Sequence, residues 1–177
     1  MSEEKKEIKS ILKDLQSKDT SKILEALKRN RKVGNQETFK AVLNCLKETD
    51  DPNVEANIIQ FLHDLKDESS IPLLIEAIED EKYSYYHSFL IASFWQSSLD
   101  GSDYIELFIR KAIKNDYMTT LEVLTVVENF DSFFSQDELI EYEADLNDAV
   151  LEEKNAEKKK LLESLADVVR NLPIEGE

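Results

Sequence analysis

One cysteine, one tryptophan, three glycines and three prolines are spread over 177 residues, and each scarcity excludes something. A lone Cys45 rules out an internal disulfide framework. So few glycines and prolines exclude both a turn-rich β architecture and a disordered chain. No uninterrupted apolar run approaches the ~20 residues that span a bilayer. The opening stretch MSEEKKEIKS lacks the apolar segment of a secretory signal, so the expected location is the cytoplasm, with no membrane partner. Basic residues are the scarce charge: 22 Lys and Arg stand against 38 Asp and Glu, a net −16. That balance argues against a surface built to hold phosphate backbones. The length leaves room for one ordinary domain with a sizeable core.

What is present is a period. An apolar pair four residues apart recurs at Ile11/Leu15, Val42/Leu46, Leu74/Ile78, Ile109/Ile113 and Leu146/Val150, with steps of 31, 32, 35 and 37 residues. A second series, Leu27, Ile58, Leu90, Leu124 and Leu161 or Leu162, keeps nearly the same time. Two helices per period mark a helical repeat array, whose units cannot bury a core alone and must stack. Leu, Ile, Glu and Lys dominate the composition, which suits helices.

The spacing predicts ten helices in five pairs: about 5–16 with 20–32, 36–48 with 52–66, 70–80 with 83–98, 103–115 with 117–130, and 136–151 with 156–172. The whole chain then reads as a single repeat domain, 1–177, with pairs at about 5–32, 36–66, 70–98, 103–130 and 136–172. Within the pairs, Asp19 or Thr20, Asp51, Asn115 or Asp116, and Asn155 are placed to accept from the free N–H groups opening the next helix. Pro52 follows Asp51, in the first turn, where its missing N–H costs nothing. Between pairs, Gly34-Asn35, Asp67 to Ser70, Asp100-Gly101-Ser102 and Asp131 to Ser135 are stops or new caps. None is long enough to be a domain linker.

At Leu43 through Leu62 the chain resembles the HEAT-repeat family of α-solenoids. Asp51-Pro52-Asn53-Val54 looks like the family's Asp-Pro-x-Val turn, and Ile58, Ile59, Phe61 and Leu62 fall at its core positions. One departure is Glu55, where the family usually has Arg, and the third and fourth repeats keep the apolar spacing without the Asp-Pro signature. The resemblance implies an all-α, right-handed α-α superhelix of about five helix pairs, used for protein–protein contact.

Catalytic chemistry finds no support. His63 and His87 lie in different repeats without ligands at metal spacing, and are expected at the surface or in a groove. Cys45 has no basic neighbour placed to lower its pKa and is expected in the core. Carboxylate pairs such as Asp50/Asp51 and Glu79/Asp80/Glu81 arise freely at helix ends of an acidic protein. There is no Gly-rich phosphate loop and no G-x-S-x-G elbow. Neither an enzyme, a metal nor a cofactor is expected. The basic stretch Lys28-Arg29-Asn30-Arg31-Lys32 sits in a segment, 1–35, with ten basic and six acidic residues. Residues 36–135 hold seven against nineteen, whereas a phosphate-tracking surface would carry Lys and Arg across several repeats. This argues against the DNA-alkylation-repair glycosylases among HEAT-like proteins, and against nucleic acid as a partner.

The strongest anomaly is the stretch from Tyr83 to Trp95, where six of thirteen residues are aromatic against 8% of the chain. At about 100° per residue, Tyr83, Tyr86, Leu90 and Phe94 share one face and should be core. Tyr85, Phe89, Ala92 and Gln96 lie opposite, with Trp95 on the flank. By repeat offset this outer face becomes Lys22, Ala26 and Arg29 in repeat one, and Asn53, Asn57, Gln60 and Asp64 in repeat two. In repeat four it becomes Thr119, Val123, Val126 and Phe130. In HEAT-like stacks the second helices line the concave side, so the resemblance implies a groove running from basic through amide-rich to apolar. The expected function is a non-catalytic scaffold that binds a segment of another protein. Tyr85, Phe89, Ala92, Trp95, Gln96, Val123, Val126 and Phe130 are its expected contacts, with Asn57, Gln60 and Arg29 as polar groups. Self-association through the same patch, and an enzyme or lyase accessory of the HEAT-like kind, are the alternatives.

Overall fold

The structure, a computed structural model, describes residues 2–176. Backbone contacts divide the chain into two compact units, one ending at Tyr86 and the other beginning at His87. Among the described residues every regular element is helical. One isolated parallel bridge joins Phe134 to Ile174, through Phe134 N–H to the Pro173 carbonyl at 2.9 Å and Glu175 N–H to the Phe134 carbonyl at 3.0 Å.

The first unit holds α1 (Glu3–Leu15), α2 (Thr20–Val33), α3 (Gln36–Glu48), α4 (Pro52–His63) and α5 (Ile71–Glu79). Short 3₁₀ turns, Glu68–Ser70 and Glu81–Tyr86, flank α5. First helices pack on first helices, α1 on α3 and α3 on α5, while α2 packs on α4. This is the two-layer stacking of a solenoid. The second unit repeats it with α6 (His87–Gln96), α7 (Ile105–Lys114), α8 (Tyr117–Glu128), α9 (Gln136–Glu152) and α10 (Ala156–Arg170). There α8 lies against α6, α7 and α10.

The starts follow the expected chemistry. Asp19, Asp51, Asp116 and Asn155 each accept from backbone N–H groups of the helix they open, and Pro52 occupies the first turn of α4. Asn35 and Thr38 form a reciprocal capping box on α3. Most of the periodic apolar residues are core: Ile11, Val42, Leu46, Ile58, Leu74, Ile78, Leu90, Leu146 and Leu162 are all fully enclosed, whereas Ile113 and Val150 are half-buried. Tyr83, Tyr86, Leu90 and Phe94 are buried as the aromatic pattern requires.

Polar contacts also tie neighbouring repeats of the first unit together, Arg31 with Asp64 at 2.8 Å among them. The Thr20 hydroxyl, at the first residue of α2, donates to the carboxylate of Asp51, the cap of α4. Tyr86 donates its hydroxyl to Glu55 at 3.0 Å, so the residue standing where the family has Arg acts as an acceptor for the next repeat. Burial and that carboxylate push the Tyr86 phenol up to about 12.

The Thr20 hydroxyl, followed by backbone N–H groups of α4, holds the Asp51 carboxyl below the ordinary carboxylate range. A depressed carboxyl contributes stability that is present above its unfolded pKa and is lost as pH falls through the folded one. Thr20→Val should therefore move the Asp51 titration, followed by carboxyl NMR, back toward the ordinary value. The stability gap between variant and wild type should be open at neutral pH and close in acid. An unchanged Asp51 titration would show that the hydroxyl does not act on it.

The expected helix over 83–98 is instead two elements. Glu81–Tyr86 forms a 3₁₀ turn and α6 begins at His87. A 3₁₀ turn advances ~120° per residue rather than ~100°, so faces projected through it by a constant step drift.

Candidate functional site

A cleft of about 310 Å³ opens in the second unit at the carboxyl ends of α6 and α8. Phe94, Trp95, Ser97, Ser98, Leu99 and Asp100 line it from α6 and the chain that follows, and Val126, Asn129, Phe130 and Asp131 line it from the end of α8. Phe94, Leu99, Val126 and Phe130 are buried and form its floor, while Trp95, Asp100, Asn129 and Asp131 are exposed at its mouth.

Aromatic packing holds the floor in place. Phe94 meets Phe108 edge-on at 5.2 Å, Phe108 lies 6.2 Å from Phe130, and Phe130 lies 6.0 Å from Phe134. Gly101 is what lets the chain pass over this column. A Cβ there would stand 2.8 Å from Phe94 Cδ1 and 2.9 Å from Phe108 Cε2. Its φ of −101° is ordinary, so the demand is for space and not for an unusual backbone. Gly101→Ala should push the two rings apart and cost ~1–3 kcal/mol, the range of overpacked cores, read as a lower denaturation midpoint. Wild-type stability in that variant would mean the rings yield freely.

The mouth is polar and organised. Trp95 donates its indole N–H to Glu122 of α8 at 2.7 Å. Asp100 accepts the Ser102 N–H at 2.9 Å and the Ser132 hydroxyl at 3.4 Å, and the Ser102 and Ser132 hydroxyls meet at 2.8 Å. Asn129 turns its amide back to the Thr125 carbonyl at 2.7 Å.

Of the outer face expected from the sequence, the structure keeps part. Tyr85 is 75% exposed and Phe89 and Trp95 are each 38% exposed; Gln96, Asn57 and Gln60 are also at the surface. Val123 and Val126 are instead enclosed, and Phe130 nearly so. They cannot line an open groove, because α8 turns that face toward neighbouring helices α6, α7 and α10. The more accessible stripe of α8 runs one residue earlier, through exposed Met118 and Asn129 with half-buried Glu122 and Thr125 between them, a rotation of about 100°. Ala92, expected on the outer face of α6, is buried, within a run of buried residues from Leu90 to Phe94.

Arg29 also departs from expectation. It folds against α1, donating to Glu7 at 3.3 Å and to Ser10 at 3.1 Å and pairing with Asp14. His87, expected at the surface or in a groove, is wholly buried at the start of α6 and lies 3.4 Å from the Asn115 amide. Cys45 is buried, and desolvation, then the charge of Glu48, raises its thiol to about 11. A thiol held there is protonated at neutral pH and is a poor nucleophile.

The cleft thus brings together Trp95, Val126 and Phe130 from the expected set. It adds Leu99, Asp100, Asn129 and Asp131, which helical-face projection passes over because most lie in connections. One signal was present: Asp100 and Asp131 stand 31 residues apart, one repeat period.

No helix among the described residues is long and apolar enough to cross a membrane. Residues 6–91 match the family model for HEAT repeats, a span that takes in most of the first unit and the opening of α6 and stops short of the cleft. No curated protein and no solved structure matches the chain.

Proposed function

This is a HEAT-repeat-like, all-α protein, matched over residues 6–91, and from that premise we propose that it is a non-catalytic scaffold that holds a segment of another protein. HEAT repeats commonly serve protein interaction. The observation that carries the reading here is the second unit's cleft, where a half-exposed tryptophan stands over a floor of Phe94, Val126 and Phe130. Aromatic side chains at the edge of a packed apolar pocket are where interface energy concentrates. Phe89 on α6 and Met118 on α8, 38% and 48% exposed, extend apolar surface on the same unit. On the first unit, taken by itself, Asn57 and Gln60 of α4 are exposed.

Affinity purification from native cells with the wild-type chain and with Trp95→Ala tests this. A protein recovered by the wild type should be depleted ~30-fold or more by the variant, the effect of losing an interface anchor worth ~2 kcal/mol. Recovery of the same proteins by both would remove the cleft from the function.

A further inference from the structure

We propose that the segment held by this cleft is basic, an Arg or Lys next to an apolar residue; the inference rests on the scaffold reading above. Three carboxylates, Asp100, Glu122 and Asp131, stand around an aromatic floor. The sequence from His87 onward carries eight Lys and Arg against twenty Asp and Glu, so the field at the mouth favours a cation. Trp95 has its indole N–H committed to Glu122 and offers a guest its π surface. A guanidinium stacks on such a ring while its edge N–H groups reach carboxylates. The apolar neighbour supplies what Phe94, Val126 and Phe130 bury.

Size agrees. About 310 Å³ is the bottom of the ~300–1,000 Å³ typical of small-molecule sites, enough for one or two side chains of a longer segment. A second copy of this chain is the weaker occupant, because two surfaces of the same negative sign repel.

Selection from a random display library of roughly twelve-residue peptides against the full chain distinguishes the outcomes. Trp95 is the single tryptophan, so its fluorescence reports occupancy of the cleft directly. Enriched peptides should carry Arg or Lys beside a large apolar residue and shift that emission. Their affinity should fall about tenfold in Asp131→Asn and by a similar factor when salt rises from ~50 to ~500 mM. Trp95→Ala, which removes the reporter and is read instead by peptide retention on the immobilised chain, should abolish binding, with circular dichroism confirming that both variants fold. Enriched peptides without basic residues that still need Trp95 would overturn the basic segment and leave the scaffold reading intact. Basic peptides indifferent to both variants would place their site elsewhere and overturn the inference. An empty selection would remove both proposals, and concentration-dependent dimers lost in Trp95→Ala would assign the cleft to a second copy.

Discussion

Phe108→Ala is expected to destabilise the second unit by ~3–5 kcal/mol, the usual cost of emptying a large aromatic side chain from a core. Phe108 is completely enclosed and joins Phe94 to Phe130 in the aromatic column. Gly101 closes over it, since even a methyl group there would collide with its ring. Backbone packed that closely cannot collapse readily into the void, which puts the cost toward the upper end of the range. Urea denaturation followed by Trp95 fluorescence reads the unit in which the ring sits. The same experiment tests the cleft, because two of its floor residues, Phe94 and Phe130, would lose their shared neighbour. A loss below about 1 kcal/mol would show that the column does not organise this core.

Adjacent residues on α6 should respond in opposite ways. Leu90 is fully enclosed, and Leu90→Ala should cost ~2–5 kcal/mol through the cavity it leaves. Phe89, 38% exposed, has less to lose, and Phe89→Ala should cost about 1 kcal/mol while weakening partner binding if it belongs to the interaction surface. Denaturation midpoints of the two variants, measured side by side, give the comparison. Equal losses would mean that Phe89 is a core residue and that the outer face of α6 has been misplaced.

The contrast between these neighbours shows how far helical periodicity carries. From Leu27 to Ile58 to Leu90 the repeat marks one buried position after another, because any helix in a stack must hide its apolar stripe. The Asp and Asn caps were equally legible, since free N–H groups at a helix start demand an acceptor close in sequence. Glu55 was visible as a departure from the family pattern, but its partner was not. Tyr86 comes from the next repeat, and only three-dimensional proximity pairs them.

The outer face was read less well, for a different reason. Periodicity tells which residues of a helix share a side, and it says nothing of how many sides are covered. On α6 the buried residues run continuously from Leu90 to Phe94, all around the helix, so its amphipathic signal is weak. On α8, which packs against α6, α7 and α10, Val123 is enclosed where it was expected to meet solvent.

By itself, then, the sequence determined the helices, their starts and the residues that must be buried, because those depend on neighbours within a turn or on a spacing that recurs along the chain. The tertiary structure decided the rotation of α8, the enclosure of His87 and the cleft between Trp95 and Phe130. Those depend on which helix covers which and on where connections such as Asp100 to Ser102 come to rest, and no local preference of the chain encodes either.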